Sequence, residues 1–152
     1  METAMLKLRQ FCAYQERSHQ ETKYKCFELG LRGNEVEEAL AELIAENFLN
    51  EERFAKAFAG GKFRIKQWGR KKILMELKQR QVSAYCIKKG LAEIDEDDYA
   101  AVLYKLTEKK YALLQREPAI KRKYKTMQYL LQRGYEPDLI NDALEQIANN
   151  EA

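Results

Sequence analysis

Thirteen cations in two blocks are the side chains of this 152-residue chain whose type and spacing offer chemistry. The first block holds Arg64, Lys66, Arg70, Lys71, Lys72, Lys78, Arg80 and Lys88; the second holds Lys121, Arg122, Lys123, Lys125 and Arg133. Lysine and arginine at this density serve electrostatic recognition of phosphates or of an acidic protein groove. The formal net charge of +3 conceals how strongly the charge is segregated. Residues 1–52 carry 6 Lys and Arg against 11 acids, whereas residues 53–90 carry 12 against 1, Glu76. Residues 118–133 contain no acid, and residues 134–152 contain no base. Ordinary helical surfaces mix both signs for solubility and for i,i+4 pairing, so 38 residues with a single acid indicate a surface kept basic for a partner.

Residues that could support catalysis or metal binding are isolated from one another. His19 is the lone histidine, in the first turn of an expected helix without a nucleophile at a recognisable spacing, and is expected to be exposed and inert. Gly60-Gly61-Lys62 lacks the G-x-x-x-x-G-K-[ST] spacing of a phosphate loop and any preceding strand, and reads as a pause or kink in a helix. Asp95, Glu96, Asp97 and Asp98 lack the glycine and ligand spacing of a calcium loop and suit the start of a helix. Cys12, Cys26 and Cys86 are widely spaced, with no CxxC pair or histidine partners for zinc, and read as small core hydrophobes. Trp68 could stack on a base, although packing in a linker is the more ordinary use of such a residue. No catalysis, metal or cofactor is therefore expected.

The elements that must position the cations are helices. Two prolines, seven glycines and runs rich in Ala, Leu, Glu, Lys and Gln favour helix throughout, and no alternating strand is evident. There is no secretory signal pattern and no apolar run long enough to span a membrane, which suggests a cytoplasmic protein. Ser18 and Glu21 have capping-box spacing and predict a helix from about His19 to Gly30. Asn34 is read as the cap of the next, with Val36, Ala39, Leu40 and Leu43 on its apolar face. Asn50 should cap a third, with Glu51 and Glu52 in its first turn and Phe54, Ala55, Ala57 and Phe58 as its stripe.

Sliding the chain on itself shows repetition. A shift of 104 aligns Gly30, Leu31, Val36, Ala39, Leu40 and Leu43 with Gly134, Tyr135, Ile140, Ala143, Leu144 and Ile147. A shift of 51 aligns the same positions with Gln81, Val82, Ile87, Gly90, Leu91 and Ile94, which keeps the apolar pattern but loses the turn glycine. The expected fold is all-α, about nine helices in three tandem three-helix repeats forming an elongated curved array. The units are read as residues 1–66, 67–116 and 117–152, the last short or truncated. In the second unit Ile73 and Leu77 should point inward and Lys71 and Lys78 outward; in the third, Ile120, Tyr124, Met127 and Leu131 should form the buried stripe, with Lys121 and Lys125 in solvent.

Three segments carry a family resemblance. Leu49-Asn50-Glu51-Glu52-Arg53-Phe54-Ala55 followed by Phe58 resembles the L-[DN]-[DE]-x-R-F-A-x-x-F signature of RecX regulators. Gly69 to Gln79, with Ile73, Glu76, Leu77 and Lys78, is similar to that family's G-x-x-x-I-x-x-E-L-x-x-K-G element, and Leu130 to Tyr135 to its L-x-x-R-G-[FY] element. The chain departs from the pattern at Arg80-Gln81, where the family usually has Lys-Gly, and at Thr22, where it has Leu. The resemblance implies a monomeric regulator that lies in the groove of a RecA-type recombinase filament on DNA. It also implies inhibition of filament growth, ATP hydrolysis and strand exchange in recombination, repair and the SOS response, with weak non-specific phosphate contacts to DNA. Two other readings stay open: direct DNA binding by tandem helix-turn-helix-like units, and a generic helical scaffold. Base readout needs Arg, Asn or Gln at a helix N-terminus, and Lys is the more prominent cation here, which suits phosphate contact better than sequence readout.

Overall fold

The structure is a computed structural model that describes residues 1–151; among them are nine α-helices, one π-turn and no strand. The helices are α1 (Glu2–Tyr14), α2 (His19–Glu28), α3 (Asn34–Ala45), α4 (Glu51–Gly61), α5 (Arg70–Gln79), α6 (Ala84–Leu91), α7 (Glu96–Leu113), α8 (Ala119–Gln132) and α9 (Pro137–Glu151). None of the helices is long and apolar enough to cross a membrane. The chain divides into two compact units, one of residues 1–59 and 76–93, the other of residues 60–75 and 94–152.

Several starts and stops follow the local chemistry read from the sequence. Ser18 and Glu21 form the reciprocal capping box of α2. The Asn50 side chain accepts the Arg53 N–H at 2.9 Å, and Asp95 caps α7 through the Asp98 N–H at 3.0 Å. Asn34, by contrast, is not a cap. It is the first residue of α3, and Gly33 occupies the cap position at φ 58°, a conformation that its lack of a Cβ allows. Gly60 and Gly61 do not interrupt α4 either. The helix continues through them and widens into a π-turn over Lys62–Lys66, which ends at the left-handed Gln67.

The internal repetition is visible in hydrogen bonds. α2, α5 and α8 each end in the same Schellman turn, with Leu31 N–H bonded to Cys26 O at 3.0 Å, Val82 to Leu77 at 3.2 Å and Tyr135 to Leu130 at 3.1 Å. The left-handed residues of the three turns are Gly30 (φ 92°), Gln81 (φ 60°) and Gly134 (φ 98°). Gln81 thus takes the strained conformation that glycine takes in its two counterparts, and the turn survives without the glycine.

In the first unit α1, α2 and α3 enclose a core of Met5, Leu8, Cys12, Cys26, Leu31, Val36, Ala39, Leu43 and Leu49. α4 adds Phe54, Ala55 and Ala59, whereas Ala57 is exposed rather than part of the stripe. All three cysteines are buried thiols, and burial pushes each of them up from its ordinary value. In the second unit Phe63, Tyr99 and Tyr135 stack in series, with ring centroids 5.7 and 5.2 Å apart.

Thr22, Thr107 and Thr126 are fully buried. Each hydroxyl donates to the carbonyl four residues earlier, at 2.9, 2.7 and 2.8 Å, so no polar group is buried without a partner at these positions.

Candidate functional site

Both cationic blocks rest on the same device, a helix whose apolar side faces a core. In α5, Ile73 and Leu77 are fully buried while Lys71 and Lys78 project into solvent, as the spacing predicts. α8 departs from expectation. Its buried positions are Thr126 and Leu130, while Ile120 is 85% and Tyr124 63% exposed, with Met127 and Leu131 half-buried. The repeat explains the reversal, because the 51 and 104 shifts place Thr22, Ile73 and Thr126 at one core position and Cys26, Leu77 and Leu130 at the next. A threonine that satisfies its hydroxyl within the helix substitutes for an aliphatic residue, and the apparent apolar stripe lies on another side.

Within the second unit, the segment that precedes α5 and the turn between α8 and α9 are locked together. Gly69 N–H donates to Arg133 O at 2.7 Å and Lys71 N–H to Gly134 O at 2.9 Å, so the α8–α9 turn satisfies amides that α5 leaves unpaired at its start. The Tyr135 hydroxyl donates to Gln67 O at 2.9 Å, and Arg133 Nη1 to Lys66 O at 2.9 Å. The approach is too close for a side chain. A Cβ on Gly69 would lie 2.4 Å from the Gly134 backbone, and one on Gly134 would lie 2.4 Å from Lys72 N. Lys66 of the first block and Arg133 of the second, 67 residues apart in sequence, therefore adjoin.

Not every cation of the two blocks is available. Arg70 pairs with Glu96 at 2.7 Å and Glu136 at 2.9 Å, and its guanidinium lies 4.0 Å from the Tyr99 ring centroid. Tyr99 donates to Glu136 and accepts the Arg70 N–H at 2.9 Å, and burial, aided by Glu136, pushes its phenol well above the usual range. Arg122 lies 3.5 Å from the Tyr111 ring centroid, donates to Tyr111 O at 2.8 Å and pairs with Glu151 at 3.0 Å. Arg80 pairs with Glu76 at 3.0 Å, and Lys125 with Glu117 at 2.6 Å, which lowers the Glu117 carboxyl.

Arg70 and Arg122 thus have structural work, and a ligand would have to compete with their carboxylates. Arg64, Lys66, Lys71, Lys78, Lys88, Lys121 and Lys123 are exposed and have no ion pair among the described residues. Lys72 is half-buried with its Nζ 4.6 Å from the Trp68 ring centroid, and the Lys62 ammonium lies 5.1 Å from the same centroid. The half-buried Trp68 is thus held between cations at the point where the chain enters α5.

His19 is half-buried rather than exposed, with Nδ1 3.8 Å from Glu51 Oε2. Glu51 in turn accepts the Ser83 N–H at 3.1 Å at the start of α6. Burial pushes its carboxyl up, but the Ser83 hydrogen bonds outweigh this and leave it below the usual carboxylate range. Among the described residues no group of three or more His, Cys, Asp or Glu is arranged to hold a metal ion.

The arrangement defines a class by its fold, an all-helical protein built of three-helix modules. Residues 50–91 match the second three-helix domain of RecX and residues 96–144 match the third. The first match groups α4 with α5 and α6, and the second groups α7 with α8 and α9.

The chain is 31% identical over 137 residues to regulatory protein RecX of Clostridium perfringens, covering 89% of this chain and 64% of that protein. It is 33% identical over 112 residues to RecX of Chromobacterium violaceum, covering 73% and 68%. The crystal structure of RecX from Lactobacillus salivarius superimposes with a TM-score of 0.88 at 18% identity, covering 97% of this chain and 96% of that one. This chain belongs to the RecX family. It spans 64% of the length of the Clostridium perfringens relative.

Proposed function

We propose that this protein is a non-enzymatic regulator that binds a RecA-type recombinase filament on DNA and inhibits it. It sits in the filament groove and limits filament growth, ATP hydrolysis and strand exchange during recombination and DNA repair. The observation that carries this reading is the set of exposed cations without carboxylate partners, on a chain whose relatives are named regulatory proteins. Arg64, Lys66, Lys71, Lys78, Lys88, Lys121 and Lys123 supply the attraction to phosphates and acidic groove walls, while Arg70 and Arg122 chiefly hold their helices. The protein acts as a monomer and adds weak, salt-sensitive phosphate contacts.

The test is DNA-dependent ATP hydrolysis by the cognate recombinase, titrated with this protein. Inhibition at substoichiometric ratio is expected, and its loss when Lys71, Lys78, Lys121 and Lys123 are changed together to Glu. Wild-type protein that never slows hydrolysis overturns the reading.

Direct DNA binding by helix-turn-helix-like units is the second reading. It is favoured by α6, which starts at a Ser83 cap and exposes Tyr85 and Lys88 while burying Cys86 and Ile87. Tight, sequence-selective binding to naked duplex would establish it in place of the first.

A further inference from the structure

The basic α8 is also the helix with the most exposed apolar side chain of the chain, and electrostatics alone gives no reason for that. Ile120, at 85% exposure, and Tyr124, at 63%, stand one turn apart, and Met127 and Leu131 continue the same stripe toward the core at i+7 and i+11. Beside the stripe, Lys123, Tyr124 and Met127 of α8 and Asn141, Leu144 and Glu145 of α9 line an open groove of about 300 Å3. Lys121 and Lys123 rim the stripe without an ion pair, and Lys125 is held only by the surface residue Glu117.

Three kinds of occupant can be compared on these facts. A phosphate backbone would use the lysines but leave Ile120 and Tyr124 uncovered, since it has no apolar surface to offer them. A second copy docking through the same face would bring one lysine block against another, a like-charge contact that opposes association. A helix whose apolar i, i+3/i+4, i+7 side chains are flanked by carboxylates covers the stripe and meets Lys121 and Lys123 together.

We infer that the α8 face built on Ile120, Tyr124 and Met127 is a docking surface for an acidic amphipathic helix of a protein partner. It deepens the proposed function, on which it rests for the view that the partner is a protein filament. It also divides the labour between the cationic blocks. The residue 64–72 block sets a single exposed aliphatic side chain, Ile65, among its cations and offers mainly charge, whereas α8 combines charge with a stripe of successive apolar side chains and grips protein. Glu145, on the α9 wall of the groove, sets the orientation by repelling the acidic edge of the bound helix toward α8.

The experiment uses the full chain and a fluorescein-labelled synthetic peptide of about five helical turns, with leucines on one face and glutamates beside them. Wild-type protein should raise the anisotropy of the peptide in a saturable, salt-sensitive manner. Ile120→Ala/Tyr124→Ala, neutral changes at exposed positions that leave the helical circular dichroism intact, should weaken it by at least about tenfold. Their affinity for naked labelled duplex should stay unchanged.

Absence of peptide binding by the wild type, or equal binding by the double variant, overturns the inference. So does a parallel loss of duplex affinity, which would make α8 a nucleic-acid contact, or a wild-type dimer in sedimentation that the double variant breaks, which would make the occupant a second copy. A parallel assay of recombinase ATP hydrolysis separates the two proposals. Peptide docking without inhibition removes the filament reading and leaves the docking surface standing; inhibition unaffected by the double variant does the reverse.

Discussion

α5 and α8 contain the same materials, an apolar series at helical spacing and a set of lysines, yet they use them differently. In α5 the series that catches the eye, Ile73 and Leu77, is the buried one, and Lys71 and Lys78 are left to solvent. In α8 the conspicuous series of Ile120, Tyr124, Met127 and Leu131 is largely outside, and the core is met by Thr126 and Leu130. Helical spacing shows that a face exists, but which face is buried depends on the neighbours it meets. Where two faces compete, exposed apolar surface is tolerated on the side that a partner can cover.

The contrast can be broken most strongly from the buried side. Leu77→Ala removes a fully buried side chain and should destabilise the protein by roughly 2–5 kcal/mol in chemical denaturation, whereas Ile120→Ala should stay within about 0.5 kcal/mol. Similar losses for the two would mean that α8 buries Ile120 after all.

Gly134→Ala attacks the joint between the helices. Its φ of 98° and the 2.4 Å approach to Lys72 predict a loss of about 2–3 kcal/mol, read as a lowered denaturation midpoint. Gln81→Gly tests the equivalent turn of α5 with the opposite sign. Relief of a left-handed non-glycine residue should stabilise by about 1 kcal/mol or less, after the greater chain entropy of glycine is counted.

The smallest effect concerns pH. Glu51 has a depressed carboxyl in the folded state, so its contribution to stability is fully present above the unfolded value of about 4.3 and fades as the pH falls through the folded value. Stability measured from neutral pH down to about 3 should therefore decline more gently in Glu51→Gln than in wild type. An unchanged slope would show that the Ser83 cap does not depend on the charge.

Much of the architecture was legible because its signals are local. The Ser18 and Glu21 box, the Asn50 and Asp95 caps and the three turns at Gly30, Gln81 and Gly134 use side chains and backbone groups within a few residues, so the sequence places them. Asn34 misled because Gly33 beside it could adopt a positive-φ cap, and the break read at Gly60-Gly61 falls one residue later, where α4 widens into the π-turn over Lys62–Lys66. α8 misled for a different reason. The signal was present in the 104-residue shift that sets Thr126 on Thr22, but hydropathy ranks threonine below the exposed isoleucine and tyrosine, and the hydroxyl of a helical threonine needs no outside partner.

The candidate site divides in the same way. That residues 53–90 and 118–133 are basic is written in the composition, as is the family to which the turns and motifs point. Which cations remain available is a tertiary matter. Arg70 is engaged by Glu96 and Glu136, and Arg122 by Glu151 and the Tyr111 ring, all 11 to 66 residues away in the chain. Sequence determined the helices, their repetition and the sign of the surface, because propensity, capping and charge act over a turn or two. Only the packed structure decided which lysines are unpaired, which apolar stripe is bare and where Lys66 and Arg133 adjoin, because burial and ion pairing depend on residues that the chain brings together only when it folds.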